Sequence, residues 1–170
     1  MEKEVEIAKK LKLMKFLYGG IFDKERGDIV LVNPNGAFKL PGGPVYLADV
    51  CQFKDERWIP SFLVRTIEAS TGIPASLIER RVQPVPAMYN TYDAGFKAEH
   101  SAVIIGEIDI GHALNIKADC YGIEKFSELV GTGFIDRQTE ILALRMFASR
   151  DCPNTYYRKT AGSLLKEKHK

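Results

Sequence analysis

Between Leu40 and Ile73 the chain gathers most of the side chains that could hold a phosphate or a metal ion. Leu40-Pro41-Gly42-Gly43 opens the stretch, with Gly42 and Gly43 read as a tight bend at the end of a strand. Asp49 follows, then Asp55 and Glu56 inside Lys54-Asp55-Glu56-Arg57-Trp58, then Arg65, and Thr71-Gly72-Ile73 closes it. Carboxylates are hard oxygen ligands suited to Mg²⁺, but a single one holds that ion poorly unless substrate phosphates complete the shell. Asp49 is therefore a candidate catalytic residue only in company. Asp55, Glu56 and the more distant Glu99 are the acids that could provide it, or they decorate solvated loops. Arg65 could pair with Asp49 or grip a phosphate through its planar fork.

Outside this stretch, Glu99-His100 offers a proton shuttle at a strand end, or surface decoration. Tyr89, Tyr92 and Phe96 fall in an aromatic, turn-rich segment and could stack on a base, or pack the segment onto a sheet. Gly131-Thr132-Gly133 precedes a helix, where anions are favoured, but carries no Gly-Lys-Ser/Thr or dinucleotide fingerprint. Cys51, Cys120 and Cys152 are widely spaced and odd in number, which argues against a disulfide framework and a zinc site. Reduced structural thiols are expected.

The elements that must position these residues follow from local pattern. Leu13 to Phe22, turn chemistry over Asp23 to Asp28, and Ile29-Val30-Leu31-Val32 predict a hairpin. Asn33-Pro34-Asn35-Gly36 turns the chain, and Ala37 to Leu40 is read as a short strand. Ile59, Phe62, Leu63 and Ile67 recur at helical spacing up to Thr71, with Gly72 where a left-handed cap would sit and Pro60 in the first turn. Leu77 to Val82 is read as beginning an extended region, and Gln83-Pro84-Val85-Pro86 cannot continue any helix. Ser101 to Ile110 alternates as a half-buried strand, with Glu107 and Asp109 on its polar face. Phe126 and Leu129 mark a further apolar segment, and a mostly apolar helix runs from Asp136 to about Ser149.

With 170 residues, 45% hydrophobic and 27% charged, the chain suits one globular domain over residues 1–150, with residues 1–12 as an N-terminal arm or helix. A net charge of +2 is too small to steer nucleic acid or membrane by its overall field. From Arg150 onward six Lys or Arg stand against Asp151 and Glu167. Residues 151–170 are accordingly read as a basic C-terminal extension, either a solvated tail or an electrostatic handle for phosphates. The charged N-terminus lacks a signal peptide's apolar run and no long apolar segment is present, so the expected compartment is the cytoplasm, with no membrane partner. Strands and helices in this order suit an α/β fold, a mixed sheet with helices on its faces.

Leu40-Pro41-Gly42-Gly43, an acid at Asp49, and a helix running from Arg65 to Thr71-Gly72-Ile73-Pro74 together resemble the Nudix (MutT-like) family. The resemblance spans most of the chain and implies an α/β/α sandwich around a mixed sheet, with Mg²⁺-dependent cleavage of nucleoside-diphosphate-linked compounds. Gly43, Asp49, Arg65 and Gly72 fall on the family's pattern. Two departures stand out. Fifteen residues, Val50 to Val64, separate Asp49 from Arg65, about eight more than the family's pattern has. Thr66, Ala69 and Ser70 also stand where the family carries the glutamates that share a metal on one helical face. Glu68, about 150° round the helix from that face, does not replace them. The neutral face is expected to merge with the buried stripe.

Three readings follow. The first is a protein that has lost metal-dependent pyrophosphohydrolase activity and binds a nucleotide, a nucleotide derivative or short RNA. Gly42, Gly43, Arg65, Tyr89, Tyr92 and Phe96 would line its site, with no metal. The second is a divergent hydrolase with a non-standard Mg²⁺ site built from Asp49, Asp55, Glu56 and Glu99. The third is a structural or interaction module, including a homodimer, since Nudix domains often pair.

Overall fold

Phe16-Leu17-Tyr18-Gly19-Gly20-Ile21-Phe22-Asp23 sends apolar side chains to both sides of an extended chain, and the computed structural model makes it the central strand β1 (Phe16–Asp23). The structure describes residues 16–44, 51–54, 57–81, 92–93, 96–97, 101–112 and 116–168. β2 (Ile29–Leu31) returns antiparallel with Phe22 opposite Ile29, so the expected hairpin forms. Its turn is closed by Asp23 N–H donating to Asp28 O at 2.8 Å and Gly27 N–H to Asp23 O at 2.8 Å.

β3 (Gly42–Pro44) pairs antiparallel with the start of β1, and β8 (Ser101–Ile108) pairs parallel along its whole length. β9 (Asp119–Tyr121) adds antiparallel to β2. The result is a five-stranded mixed sheet. On one face lie α1 (Ser61–Thr71) and α2 (Ala75–Arg81), where Leu63, Val64, Ile67 and Ile78 pack on Leu17, Ile21, Val30 and Ile108. On the other lie α3 (Ile123–Leu129), α4 (Arg137–Ala148) and α5 (Thr155–Lys168), where Phe126, Leu142, Met146, Phe147 and Ala161 pack on Tyr18, Phe22, Ile29, Val103 and Ile105. Two cores back to back make an α/β/α arrangement, an α/β fold.

The glycine pair in β1 lets both layers close in. A Cβ on Gly19 would sit 2.5 Å from Ile67 Cδ1 of α1, and one on Gly20 would sit 2.4 Å from Met146 Cε of α4. α4 matches its sequence signal closely: Asp136 accepts from Thr139 N–H at 3.3 Å as N-cap, and Ser149 is the C-cap. Two of its buried polar groups find partners, Thr139 Oγ1 accepting from Leu40 N–H at 3.0 Å and the Glu140 carboxylate from Gly131 N–H at 2.8 Å.

Several expectations are corrected. The strand expected over 37–40 reduces to isolated bridges, Val32 with Lys39 and Phe38 with Ile135. Pro60 ends a strand, β5 (Arg57–Pro60), rather than entering α1, which starts at Ser61. β5 pairs antiparallel with β4 (Cys51–Lys54), so the extra residues before α1 include a two-stranded β-pair. The stretch expected to be extended from Leu77 is helical as α2, because Pro74 stands just before the first turn, where its missing N–H costs nothing. Its carbonyl accepts from Leu77 N–H at 3.0 Å and Ile78 N–H at 3.1 Å. β8 is buried on both faces, with Val103 and Ile105 in one core and Ile108 in the other, as a strand covered by helices on both sides must be.

The stretch after Arg150, expected as a surface extension, forms α5 with Ala161 and the preceding Cys152 fully enclosed. Among the described residues, no helix is long and apolar enough to cross a membrane. The arm expected over residues 1–12 lies outside the described residues.

Candidate functional site

β3 and α1 meet where the glycine pair passes under the helix. Gly42 and Gly43 are not a bend but two strand positions, Tyr18 opposite Gly42 and Leu17 opposite Gly43. Gly42 has φ +131°, and a Cβ there would lie 2.3 Å from Leu17 O, 2.8 Å from Tyr18 Cα and 3.1 Å from Leu63 Cδ1. Lys39 Nζ donates to Gly42 O at 3.1 Å, and Gly19 N–H donates to Pro41 O at 2.7 Å, holding the segment to the central strand.

On α1 the predicted cap is present: Gly72 has φ +79° and its N–H donates to Glu68 O at 2.9 Å. Leu63, Val64, Ile67 and Thr71 are buried, Thr66 and Ser70 are half-buried, and Arg65, Glu68 and Ala69 are exposed. The face at 66, 69 and 70 therefore does not merge with the buried stripe; it borders solvent along one flank. Its hydroxyl protons are committed to the helix itself, Thr66 Oγ1 donating to Phe62 O at 2.8 Å and Ser70 Oγ to Thr66 O at 2.7 Å. Arg65 lies about 200° round the helix from Leu63, which faces β3, so the structure does not turn its side chain toward the glycine pair.

Glu68 has a task the sequence did not reveal. Its carboxylate accepts from Ala75 N–H and caps α2 across the Gly72-Ile73-Pro74 corner. No capping motif links residues seven apart; only the fold of the corner brings them together. Glu68→Ala is expected to lower stability by about 1 kcal/mol, read as a lower urea midpoint with unchanged slope. An unchanged midpoint would mean the cap contributes nothing.

Asp49, Asp55, Glu56, Tyr89, Glu99 and His100 lie outside the described residues. The backbones of Tyr92 and Phe96 fall in a small hairpin, β6 (Tyr92–Asp93) with β7 (Phe96–Lys97), in the segment expected as a loop. Tyr92 is paired with Lys97 and Phe96 with Asp93, so the two aromatic positions are not cross-strand partners. Among the described residues, no group of three or more His, Cys, Asp or Glu is placed to hold a metal ion.

The remaining candidates resolve on the opposite layer. At Gly131-Thr132-Gly133, Gly131 N–H donates to Glu140, Thr132 N–H to Leu129 O at 3.2 Å, and Phe134 N–H to the Thr132 hydroxyl at 3.2 Å. These amides are already used, and a buried carboxylate stands where an anion would enter. Cys120 and Cys152 are free thiols, and burial pushes Cys120 up to about 11 and Cys152 in the same direction, so neither is an activated nucleophile. A cavity of about 240 Å³ lies between α3, α4 and α5, lined by Ser127, Val130, Leu144, Leu164 and Glu167. Among the described residues no Lys or Arg lines it, and it is smaller than the pockets that enclose drug-sized ligands. Compared with protein-family models and with curated proteins, the chain matches none.

Proposed function

We propose that the chain is a Nudix-like protein that binds a nucleotide, a nucleotide derivative or short RNA in the cytoplasm and no longer performs metal-dependent pyrophosphohydrolysis. The observation that carries this reading is the commitment of α1. Thr66 and Ser70 donate to carbonyls of their own helix, Ala69 has no donor or acceptor in its side chain, and the one carboxylate of the helix, Glu68, caps α2. A divalent cation needs several oxygen ligands with negative charge among them, and this face supplies only neutral hydroxyls. What is retained is the close packing of β3 under α1, with exposed Arg65 on the outer side of the helix as the cation for a ligand phosphate.

Thermal denaturation with nucleoside diphosphates, nucleotide sugars and short RNAs, each in EDTA and in Mg²⁺, tests the reading. A ligand at a hundredfold excess over Kd is expected to stabilise the protein by about 2.7 kcal/mol whether or not metal is present. Arg65→Ala should weaken that effect. Turnover in Mg²⁺ or Mn²⁺ that Asp49→Asn abolishes would instead establish the divergent hydrolase, and no shift with any ligand would leave an interaction module.

A further inference from the structure

Arg145 and Arg158 occupy matching places on the two arms of the α4–α5 hairpin, one three residues before the end of α4 at Ala148, the other three residues after the start of α5 at Thr155. Both side chains are half-buried, and in each the Nε is enclosed by protein with no hydrogen-bond partner among the described residues. The Arg158 guanidinium makes one contact within its own helix, Nη2 to Thr155 Oγ1 at 3.3 Å. Arginine stays charged in proteins, and a shielded donor on a charged group without a partner is costly.

The two residues also share a flank. The α3 side of the hairpin is marked by Tyr156 Oη donating to the Glu124 carboxylate, by Glu140 on Gly131, and by Leu144, Leu164 and Glu167 around the cavity with Ser127. At about 100° per residue, Arg145 lies about 100–140° round α4 from Leu144 and Glu140, and Arg158 about 120–180° round α5 from Tyr156, Leu164 and Glu167. Gln138, two turns before Arg145 on the same face of α4, accepts from Tyr18 Oη at 3.0 Å. Tyr18 belongs to β1, which pairs with β8 along its whole length and is separated from β9 by β2. The Cys152 thiol, raised mainly by burial, lies within electrostatic reach of both Arg158 and Glu107 of β8.

We propose that Arg145 and Arg158 form an oxyanion site on this flank that takes a phosphate or pyrophosphate group. Two planar forks on rigid, mutually packed helices suit the tetrahedral array of phosphate oxygens, and each can donate in pairs. Exposed Arg150 and Lys159 add positive charge at the same end of the hairpin, opposed by Glu107 and by Asp151, which has an interaction of its own. The site lies in the layer opposite α1 and does not depend on the reading of that helix.

Isothermal titration calorimetry of the full chain with sodium pyrophosphate, at fixed ionic strength, tests it. Wild type is expected to bind, Arg145→Gln and Arg158→Gln to bind about tenfold more weakly each, and the double variant to give no measurable heat. Arg145→Lys and Arg158→Lys, which keep charge and stem but lose the fork, should fall between. If a glutamine variant fails to fold by circular dichroism, the lysine variants carry the comparison. Absence of binding to wild type at millimolar pyrophosphate, or undiminished binding by the double variant, overturns the site. Loss of binding in Arg65→Ala alone overturns it too, by assigning the anion to α1, and leaves the proposed function standing.

Discussion

Gly42→Ala is expected to remove roughly 3 kcal/mol or more of folding free energy, whereas Gly43→Ala, one residue on, should change it by less than about 1 kcal/mol in either direction. Two independent costs meet at Gly42. Its φ of +131° lies where L side chains rarely go, so any Cβ strains the backbone. The added carbon would also sit 2.3 Å from Leu17 O and 2.8 Å from Tyr18 Cα, both backbone atoms of the central strand. Neither can swing aside as a side-chain tip would, because β1 is held by β8 on its other edge along its full length. Among the described residues Gly43 has nothing within 4 Å of the same added atom, and its φ is not positive, so alanine there chiefly reduces the freedom of the unfolded chain. Urea unfolding of both variants measures the difference. Equal midpoints would mean that β3 does not press on β1 as described, and that the glycine pair serves a ligand rather than the fold.

The same contrast separates what the amino-acid sequence makes legible from what only tertiary packing decides. Where a signal is local and chemically specific, it held: turn residues 23–28 closed the hairpin, Gly72 ended α1, and Asp136 began α4. Where the signal depended on what covers a segment, it failed. Val103 and Ile105 share the alternation of Glu107 and Asp109, the polar face of the strand, yet both are buried in the core that α4 and α5 complete. Residues 75–81 lacked an N-cap side chain of their own, because the cap, Glu68, belongs to the preceding helix. For the candidate site, residue types were legible at 66, 69 and 70, but the destination of each hydroxyl and of Glu68 was a matter of tertiary geometry.

Truncation after Arg150 should abolish cooperative folding, a loss comparable to the whole stability of a domain this size, about 5–15 kcal/mol. The composition of residues 151–170 suggests a solvated tail, yet the apolar face of α5 completes the second core. Tyr157 meets Phe147 edge-on at 5.9 Å, and Phe147 in turn contacts Phe22 at 6.2 Å and Phe126 at 5.8 Å, so removing the helix uncovers a chain of aromatic rings that reaches the central strand. Leu164 and Leu165 pack on the same cluster. Burial of each large apolar side chain contributes about 1.5–3 kcal/mol, which makes the combined loss too great for the remaining core to absorb. Polar contacts then fix the register of α5. Asn154 Nδ2 donates to Arg26 O at 2.9 Å while its Oδ1 accepts from Tyr157 N–H at 3.0 Å, and Tyr157 Oη donates to Asp28 at 2.8 Å. Burial, with that carboxylate beside it, pushes the Tyr157 phenol up to about 12, so it remains the donor at neutral pH. Tyr157→Phe should therefore cost only about 1 kcal/mol, the worth of one hydrogen bond, and retain a sharp transition. The truncated chain should instead melt without a cooperative step in circular dichroism and yield to protease at concentrations that leave the full chain intact. A truncated protein with the full-length midpoint would return residues 151–170 to the status of a tail, and would take with it the helix on which Arg158 depends.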